Sequence, residues 1–351
     1  MVSTLRIATF NCENLFSRPK IFRESKARST ELLGYVAELQ AELRNDIFDH
    51  PRIKELKEKL QGYVTVVDIR GSHTSAAGAK EWLGWIEFTK SRNEAAAVEN
   101  TAQVIYDLDA DLVCLIEVEN RLLLQQFHDG LLFDVLLKPQ NKLGYEHVLL
   151  IDGNDDRGID VSVISRLPIT WLKSHVHERT VYAGREVATF SRDCLEVRLE
   201  APDGKPLHLL VNHLKSQGYN APTDPQGNIR RLGQAKRVAE LVDEHDLDQD
   251  YVVVAGDLNA DPDNPSMEPL VKKKGLYNVN LELEPDKRGT YGTGKKQLDY
   301  LFISRALRPH LQAVHIERRG IYSKSRPHYP TVTSKLDQAS DHGAVVAEFQ
   351  L

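Results

Sequence analysis

Cysteine is scarce in this chain, which has three in 351 residues. A small, odd number of cysteines in a long chain does not build a disulfide framework. Cys12 and Cys114 lie in apolar runs of strand type, so we expect buried thiols there. Long apolar runs are also lacking, because none approaches the ~18 residues that a membrane span requires. We therefore expect no contact with a membrane.

Several sequence patterns that define common enzyme classes are missing. The chain has no G-x-x-x-x-G-K-[ST] phosphate loop, no C-x-x-C pair and no G-x-S-x-G elbow. These gaps argue against a P-loop nucleotidase, a structural zinc site and a serine hydrolase of that type. Residues 1–6 lead straight into a strand pattern without a basic segment and an apolar core, so we expect no signal peptide and a cytoplasmic protein.

The charge balance excludes a bulk binder of polyanions, because the formal net charge is -6. Nucleic acid would have to be held by local basic loops, such as those that carry Lys295, Lys296, Lys324 and Arg326. The hydrophobic content of 41% supports a sizeable core in one large domain or two smaller ones.

Polar side chains follow an apolar run at Val252–Ala255, which reads as a strand buried on both faces. The run ends in Gly256, Asp257 and Asn259. If the strand geometry persists, Asp257 and Asn259 point the same way. An Asx turn that ends the strand is the alternative.

The same pattern recurs at other strand ends. Asn11 and Glu13 follow the first apolar run and offer the hard oxygen ligands that suit Mg²⁺ or Mn²⁺. Glu117 and Glu119 follow the run at 112–116, and alternation cannot choose between them. Further polar residues at strand boundaries are Asn212, His213, Lys215, Ser216, Asp299, Asp341 and His342.

Between these strands the pattern is helical, for instance at 95–108, and the order of elements indicates an α/β protein. Residues from about 18 to 93 form helical patterns near 32–43 and 53–60, with a basic cluster at their start. We interpret them as an insertion into a single domain that spans 1–351. The charged faces there are typical of solvated helices, although the basic cluster could also hold a polyanion.

Six short motifs occur in order along the chain. They are Thr9–Phe16, Asp111–Val118, Asn212–Ser216, Gly256–Asn259, Leu298–Tyr300 and Ser340–Gly343. Together they resemble the endonuclease/exonuclease/phosphatase superfamily, and the opening motif with Asn-His-Leu-Lys-Ser is most similar to its bacterial nuclease-like branch. Two positions depart from the family pattern: Ile116 replaces a glutamine, and Glu13 replaces an aspartate.

The resemblance implies a four-layer α/β sandwich of two mostly antiparallel sheets flanked by helices. It also implies roles for the strand-end residues. The metal ligands would be Asn11, Glu13, Glu117 and Asp341. The catalytic groups would be His213, Asp257, Asn259, Asp299 and His342. Asp299 would pair with His342, and either Asp257 or His342 would be the general base.

Substrate binding is predicted for basic residues near these motifs, namely Arg157, Arg192 and Lys215. Arg157 precedes a glycine in a charged turn, where an arginine that faces solvent is the alternative. Because like charges repel, a cluster of carboxylates needs a cation before it can approach a phosphate. We therefore expect a Mg²⁺- or Mn²⁺-dependent phosphodiesterase that acts on nucleic acid, with DNA favoured, and that is monomeric.

Two other functions fit the sequence. A phosphatase or phospholipase acting on a small phosphoester or a sphingolipid would use the same residues. A catalytically inactive binding module would need the loss of a key residue, and none of the six motifs lacks one.

Overall fold

The computed structural model describes residues 3–70, 72–155, 157–217, 223–292 and 294–351. Its strands, in chain order, are β1 (Thr4–Asn11), β2 (Ser17–Pro19), β3 (Val64–Asp68), β4 (Gly84–Phe88), β5 (Lys90–Arg92), β6 (Leu112–Val118), β7 (His147–Leu150), β8 (Asp160–Ser165), β9 (Ile169–Lys173), β10 (Arg179–Tyr182), β11 (Arg185–Ala188), β12 (Cys194–Glu200), β13 (Pro206–His213), β14 (Tyr251–Asp257), β15 (Leu276–Asn278), β16 (Asp299–Ser304), β17 (Leu311–Glu317) and β18 (Ala344–Gln350).

The α-helices are α1 (Lys26–Glu42), α2 (His50–Lys59), α3 (Ala95–Leu108), α4 (Arg121–Gln126), α5 (Asn228–Val242) and α6 (Glu268–Val271). A π-helical segment, Phe127–Leu137, continues α4. Short 3-10 turns lie at Lys20–Arg23, Lys138–Gln140, Pro265–Met267, Val279–Glu282, Pro285–Lys287 and Arg308–His310. The chain divides into two compact units, one formed by Met1–Phe16 with Glu94–Leu351 and the other by Ser17–Asn93.

The larger unit contains two six-stranded sheets with the strand orders β17-β18-β1-β6-β8-β7 and β15-β16-β14-β13-β12-β9. Strand β1 runs parallel to β6, and β13 runs parallel to β14. The other neighbouring strands described in these two sheets are antiparallel. The strongly apolar strands, such as β6 and β14, are buried on both faces, as their composition predicts.

The core of this unit is layered. Side chains from the inner faces of both sheets form one cluster, which includes Ile7, Cys114 and Val253. The outer face of the first sheet packs against α3 and the π-helical segment. The outer face of the second sheet packs against α5. This order of helix, sheet, sheet and helix is the four-layer sandwich expected from the sequence.

Strand register brings the polar strand ends to one edge of the second sheet. His213 on β13 is aligned with Asp257 on β14, and Asp257 is aligned with Asp299 on β16. Aligned residues of neighbouring strands point to the same face. Gly256 allows this alignment, because a Cβ there would lie 1.9 Å from the carbonyl oxygen of Asn212 and because its φ is 129°.

The smaller unit has its own apolar core, formed by α1, α2 and strands β3 and β4. Ser25 caps α1 by accepting from the backbone N–H of Arg28, and Asp49 caps α2 by accepting from that of Arg52. Helical patterns near both helices were expected, whereas the pairing of β3 with β4 was not. The interpretation of residues 18–93 as an insertion into one domain stays a prediction.

The scarce cysteines are free thiols. Cys12, Cys114 and Cys194 are all buried, which agrees with the absence of a disulfide framework. Burial raises the pKa of each thiol. Among the described residues, no helix combines the length and the apolarity that crossing a bilayer requires.

A buried ionic cluster lies on the outer side of the second sheet. The Glu196 carboxylate lies 3.2 Å from His175 Nε2 and 3.7 Å from His245 Nε2. The hydrogen bond with His175 is the main reason that the pKa of Glu196 falls to about 2. Burial lowers the pKa of His175, but Glu196 and Glu178 outweigh it and raise the pKa overall. The contact between Glu196 and His175 therefore contributes stability that depends on pH.

We predict that Glu196→Gln destabilises the protein by on the order of 1–3 kcal/mol at pH 5.5. The stabilisation from Glu196 is complete above its unfolded pKa and is lost as the pH falls through about 2. The difference between variant and wild type should therefore narrow from pH 5.5 to pH 3.5 in urea unfolding. Glu200→Gln, an exposed change on the same strand, is the control. If the loss of stability in Glu196→Gln did not change with pH, the pH-dependent stabilisation assigned to Glu196 would be wrong.

Candidate active site

Three strand ends of the second sheet form the base of the candidate site. His213, Asp257 and Asp299 are 2%, 2% and 0% exposed. The distance between His213 Nε2 and Asp257 Oδ2 is 3.7 Å. Burial of two neighbouring carboxylates is unfavourable unless other groups compensate their charge or bind their oxygens. The surrounding residues supply both kinds of compensation.

Asp257 is held on both carboxylate oxygens. Asn11 Nδ2 donates to Oδ2 at 3.0 Å, which connects the end of β1 in the first sheet to the end of β14 in the second. The backbone N–H of Asn259 donates to Oδ1 at 2.9 Å, and Asn259 Nδ2 donates to Oδ2 at 3.3 Å. Burial raises the pKa of Asp257 to about 7, although the positive charge of His342 opposes this shift.

The contact between Asp257 and Asn259 arises from a turn. Strand β14 ends at Asp257, and Asn259 has a left-handed φ of 57°. The Asx turn that was the alternative interpretation is therefore present. It places the amide of Asn259 beside the Asp257 carboxylate without strand alternation.

His342 pairs with Asp299 as the resemblance implied. Its Nδ1 lies 2.8 Å from Asp299 Oδ2, and its backbone N–H donates to Ser340 Oγ at 2.9 Å. The ring packs edge-on against Tyr291 at a centroid distance of 4.9 Å. Burial alone would lower the pKa of His342, but the charge and hydrogen bond of Asp299 raise it well above its ordinary value. Asp299 therefore favours the protonated form of His342, in which Nδ1 donates to the Asp299 carboxylate.

Backbone strain turns Glu117 toward this group. Strand β6 shifts register between Ile116 and Val118, and Glu117 has a left-handed φ of 65°. Its carboxylate accepts from Asn14 Nδ2 at 2.8 Å and from Asn11 Nδ2 at 3.5 Å. His213 Nε2 lies 3.8 Å from Glu117 Oε1. Glu117 therefore joins the strand ends of both sheets.

Glu119 has a different position. Its two carboxylate oxygens accept from the backbone N–H of Phe16 at 3.1 and 3.2 Å. The choice between Glu117 and Glu119, which alternation left open, is made by the register shift. Glu117 lies at the site, and Glu119 fixes the segment that follows β1.

Glu13 and Asp341 lie together beside His342. Glu13 Oε2 accepts from the backbone N–H of Asp341 at 3.0 Å and from Gln338 Nε2 at 2.9 Å. Asp341 Oδ1 lies 3.7 Å from His342 Nε2. Glu13 has a left-handed φ of 50°, so the expectation that Asn11 and Glu13 share the face of an extended strand is not met. The proximity of Asn11 and Glu13 depends on the turn after β1.

The possible ligand atoms around Glu117 suit a hard divalent cation. The carboxylates of Glu117 and Asp257 both accept from the side-chain amide nitrogen of Asn11, and carboxylate oxygen is the ligand type that Mg²⁺ and Mn²⁺ prefer. The amide oxygen of Asn11 accepts from the backbone N–H of Glu13 at 2.9 Å and has a second lone pair that a metal could use. Burial, followed by the charges of Arg192 and Arg157, lowers the pKa of His213 well below its ordinary value, which favours the neutral imidazole.

A second group of possible ligands consists of Asp257, Asp299 and His342, whose ligand atoms lie within 4.8 Å of one another. The hydrogen bond between His342 and Asp299 already uses one imidazole nitrogen and one carboxylate oxygen there. Because Asp299 raises the pKa of His342 and so favours its protonated form, metal binding through the ring is disfavoured. The carboxylates of Glu117 and Asp257, with the amide oxygen of Asn11, therefore fit a metal better than this trio does.

A pair of arginines, of which Arg192 is buried and Arg157 half-buried, adjoins the site. Arg157 donates from Nε and Nη2 to the two oxygens of Asp155 at 2.7 and 2.6 Å. Arg192 Nε lies 2.9 Å from Asp155 Oδ2, at an angle that makes this contact an ion pair and not a hydrogen bond. Arg192 Nη1 donates to the carbonyl of Leu214, directly after His213. Asp155 thus connects two guanidinium groups to the end of β13.

The predicted substrate-binding residues differ in exposure. Arg192 is 1% exposed, whereas Arg157 and Lys215 are half-buried. Burial is the main reason that the pKa of Lys215 falls to about 7, and the charges of Arg192 and Arg157 contribute. All three residues therefore lie close enough to influence one another electrostatically.

Sequence reasoning missed three residues of this region. Asn14 holds the Glu117 carboxylate, Tyr291 covers the ring of His342, and Asp155 holds both arginines. Asn14 lay within a motif that was recognised for its neighbours. Asp155 lay in a charged turn in which only the arginine was considered. Nothing in the sequence singled out Tyr291, because its contact with His342 is distant along the chain.

Comparison with known proteins gives the family. The model of the endonuclease/exonuclease/phosphatase family matches residues 82–342. The chain therefore belongs to this family, whose members are hydrolases of phosphoester bonds that generally depend on a divalent metal. Comparison with curated proteins returned no significant match.

Solved structures share the fold at low sequence identity. A family member from Bacteroides thetaiotaomicron has a TM-score of 0.53 at 14% identity, covering 100% of this chain and 98% of its own. A protein of the same description from Beutenbergia cavernae has a TM-score of 0.52 at 17% identity, covering 99% and 72%. A mannosyl-6-phosphatase from B. thetaiotaomicron has a TM-score of 0.50 at 13% identity, covering 98% of each chain.

We predict that Asp155→Asn destabilises the protein by about 3–5 kcal/mol, because it leaves two largely buried guanidinium groups without their carboxylate. The charges of both arginines, opposing burial, hold the pKa of Asp155 below its ordinary value. Urea unfolding at pH 7 measures the loss. Asp134→Asn, which removes an exposed pair with Lys138, should cost under about 1 kcal/mol. Equal losses in the two variants would show that Asp155 is not a structural clamp.

Proposed function

We propose that the chain is a divalent-metal-dependent phosphodiesterase that hydrolyses nucleic acid, with DNA as the favoured substrate. The observation that carries this proposal is the alignment of His213, Asp257 and Asp299 on three neighbouring strands, with His342 bonded to Asp299. It supports in-line attack of a water on phosphorus, which needs an oriented proton acceptor and donors to the developing charge.

In this proposal Asp257 accepts the proton of the attacking water. Its carboxylate is fixed by Asn11 on one side and by Asn259 on the other, so it is oriented before substrate binds. His342 is the weaker candidate for the base, because its pairing with Asp299 raises its pKa and favours the protonated form. The motifs left open whether Asp257 or His342 is the general base, and the geometry supports Asp257.

Donors to the phosphoryl oxygens come from both sides of Asp257. His342, held by Asp299 through Nδ1, has Nε2 as its remaining donor, and His213 is a neutral imidazole whose Nε2 lies toward Asp257. The side-chain amide of Asn259 lies at the same place, where it donates to Asp257 and to the carbonyl of Leu214, and it would reach a phosphoryl oxygen by exchanging one of these partners. Losing one such donor typically costs about 10²–10³-fold in turnover.

Glu117 and Asn11 would hold the metal ion, and Glu13 and Asp341 would complete or orient the site. A bound divalent cation would supply Lewis acidity and neutralise the charge of the phosphate. Asn14 would fix the Glu117 carboxylate through its 2.8 Å hydrogen bond.

Basic groups beside the site support a polyanionic substrate. Arg157 and Lys215 would bind phosphates next to the scissile one, and Arg192 would add positive charge from its buried position. Lys295, Lys296 and Lys324 lie exposed on loops of the same unit. The fold does not decide the substrate, because a mannosyl-6-phosphatase shares it.

The proposal is tested by hydrolysis of supercoiled plasmid, linear duplex DNA, single-stranded DNA, RNA, bis-p-nitrophenyl phosphate and p-nitrophenyl phosphate. Each is assayed with Mg²⁺, Mn²⁺ or EDTA. We expect cleavage of DNA that EDTA abolishes, and the ratio of nicked to shortened products separates endonuclease from exonuclease. Turnover of the monoester alone would replace the proposal with a phosphatase.

The same assay tests the residues. We expect His213→Ala, Asp257→Ala and His342→Ala each to lower turnover by roughly 10²-fold or more while the protein stays folded. Asp286→Ala, an exposed change in a 3-10 turn, should retain full activity. Near-normal turnover in all three site variants would refute the site.

Glu117→Gln should raise the metal concentration needed for half-maximal activity by roughly 10-fold or more, because it removes a charged ligand. Glu119→Gln is a matched control at the same strand end, since its amide oxygen can still accept from Phe16. Calorimetry with Mn²⁺ provides a readout that does not depend on turnover. Equal metal titrations for the two variants would remove Glu117 from the metal site.

A further inference from the structure

The smaller unit contains a cavity that the six motifs do not touch. It has a volume of about 370 Å³ and lies between helix α2 and the segment around His73. Small-molecule sites in proteins typically have volumes of ~300–1,000 Å³. The cavity therefore has room for a ligand of modest size.

Two of the lining residues, His73 and Lys57, form a chain of polar side chains with Asp68, which lies behind them. His73 is 3% exposed, and its Nδ1 lies 3.1 Å from each oxygen of Asp68. Its Nε2 lies 2.8 Å from Lys57 Nζ. Because Asp68 accepts only, the proton of a neutral imidazole resides on Nδ1, and Nε2 accepts from the Lys57 ammonium. Asp68 thus fixes the His73 tautomer, and His73 positions Lys57 at the cavity.

Asp68 is itself firmly held. It accepts from the backbone N–H of His73 at 3.2 Å and from the indole Nε1 of Trp82. The hydrogen bonds with Trp82 and His73 outweigh the effect of burial and lower the pKa of Asp68. This network holds the ammonium of Lys57 in one place. The conformational entropy lost when Lys57 binds a ligand is therefore small.

The remaining lining combines basic side chains with a mainly apolar surface. Lys54, Lys57 and His50 lie on one helix, and Thr74 adds a hydroxyl from the opposite segment. Glu58 is the one carboxylate among the lining residues, against two lysines. Ile53 is buried and contributes apolar surface.

We propose that this cavity binds the phosphate group of a small phosphorylated molecule or of a nucleic-acid end. A phosphate presents three or more acceptor oxygens, which suits the basic side chains of α2 and the Thr74 hydroxyl that line the cavity. A carboxylate, with two oxygens, would leave donors unused. The apolar surface at Ile53 would contact the organic part of the ligand. This site does not depend on the proposed catalytic function, and its residues take no part in that site.

The test is an NMR titration of the full-length, metal-free chain with inorganic phosphate at constant ionic strength. We expect the amide signals of Lys57, His73 and Thr74 to move and to saturate, which assigns binding to this cavity and not to the catalytic site. Lys57→Gln should weaken the binding by about 10-fold or more, because it removes a charged donor.

Lys59→Gln is the matched control. Lys59 lies on the same helix and pairs with Glu55 at 2.6 Å, outside the cavity lining. This variant should bind phosphate like the unmodified chain. The proposal is overturned if chloride moves the same signals equally, if phosphate moves none of them, or if Lys57→Gln titrates normally.

Two further probes separate the possible sources of the phosphate. A short oligonucleotide is compared in its 5′-phosphorylated and 5′-hydroxyl forms, and a mononucleotide is titrated in parallel. Preference for the phosphorylated oligonucleotide would make the cavity a site for nucleic-acid ends. Tighter binding of the mononucleotide would make it a small-molecule site. No response to any of the phosphorylated probes would overturn the proposal.

Discussion

The site depends on the burial of two neighbouring carboxylates at the edge of a sheet. Asp257 and Asp299 are aligned on adjacent strands and are almost fully buried. Such a pair is stable only if charge and hydrogen bonds compensate it. His342 supplies a positive charge to Asp299, and amide groups of Asn11 and Asn259 bind Asp257. The residues that stabilise the carboxylates are therefore the residues proposed for catalysis.

The same requirement joins the two sheets. Asn11 ends β1 in the first sheet and donates to Asp257 in the second, and Glu117 reaches His213 across the same edge. Unfavourable backbone conformations accompany these contacts, since Glu13, Asn14, Glu117 and Asn259 all have positive φ angles. Strain of this kind persists only where the surrounding structure overdetermines it. Its concentration here agrees with a preorganised site.

Much of the fold and of the site could be predicted from residue patterns. The apolar strands at 112–116 and 252–255 and the helix at 95–108 appear where their periodicity placed them. The pairing of His342 with Asp299 was also anticipated, but from the family resemblance. Residue patterns did not anticipate the role of Asp155 or the contact of Tyr291 with His342, because both depend on contacts between distant segments. The alternation rule failed at Glu13, which follows β1 with a left-handed φ, and it left the choice between Glu117 and Glu119 open.

The sequence by itself determined the family, the layered α/β architecture and the set of polar residues that follow apolar strands. These properties are local or lie in ordered motifs, so they can be recognised in one amino-acid sequence without the folded structure. Tertiary structure alone decided that Glu117 and not Glu119 joins the site, through a register shift in β6. It also decided the opposite directions in which the pKa values of His342 and His213 are shifted, since each depends on burial and on charges from other strands. Register and burial are collective properties of the folded chain, which residue patterns along the sequence do not specify.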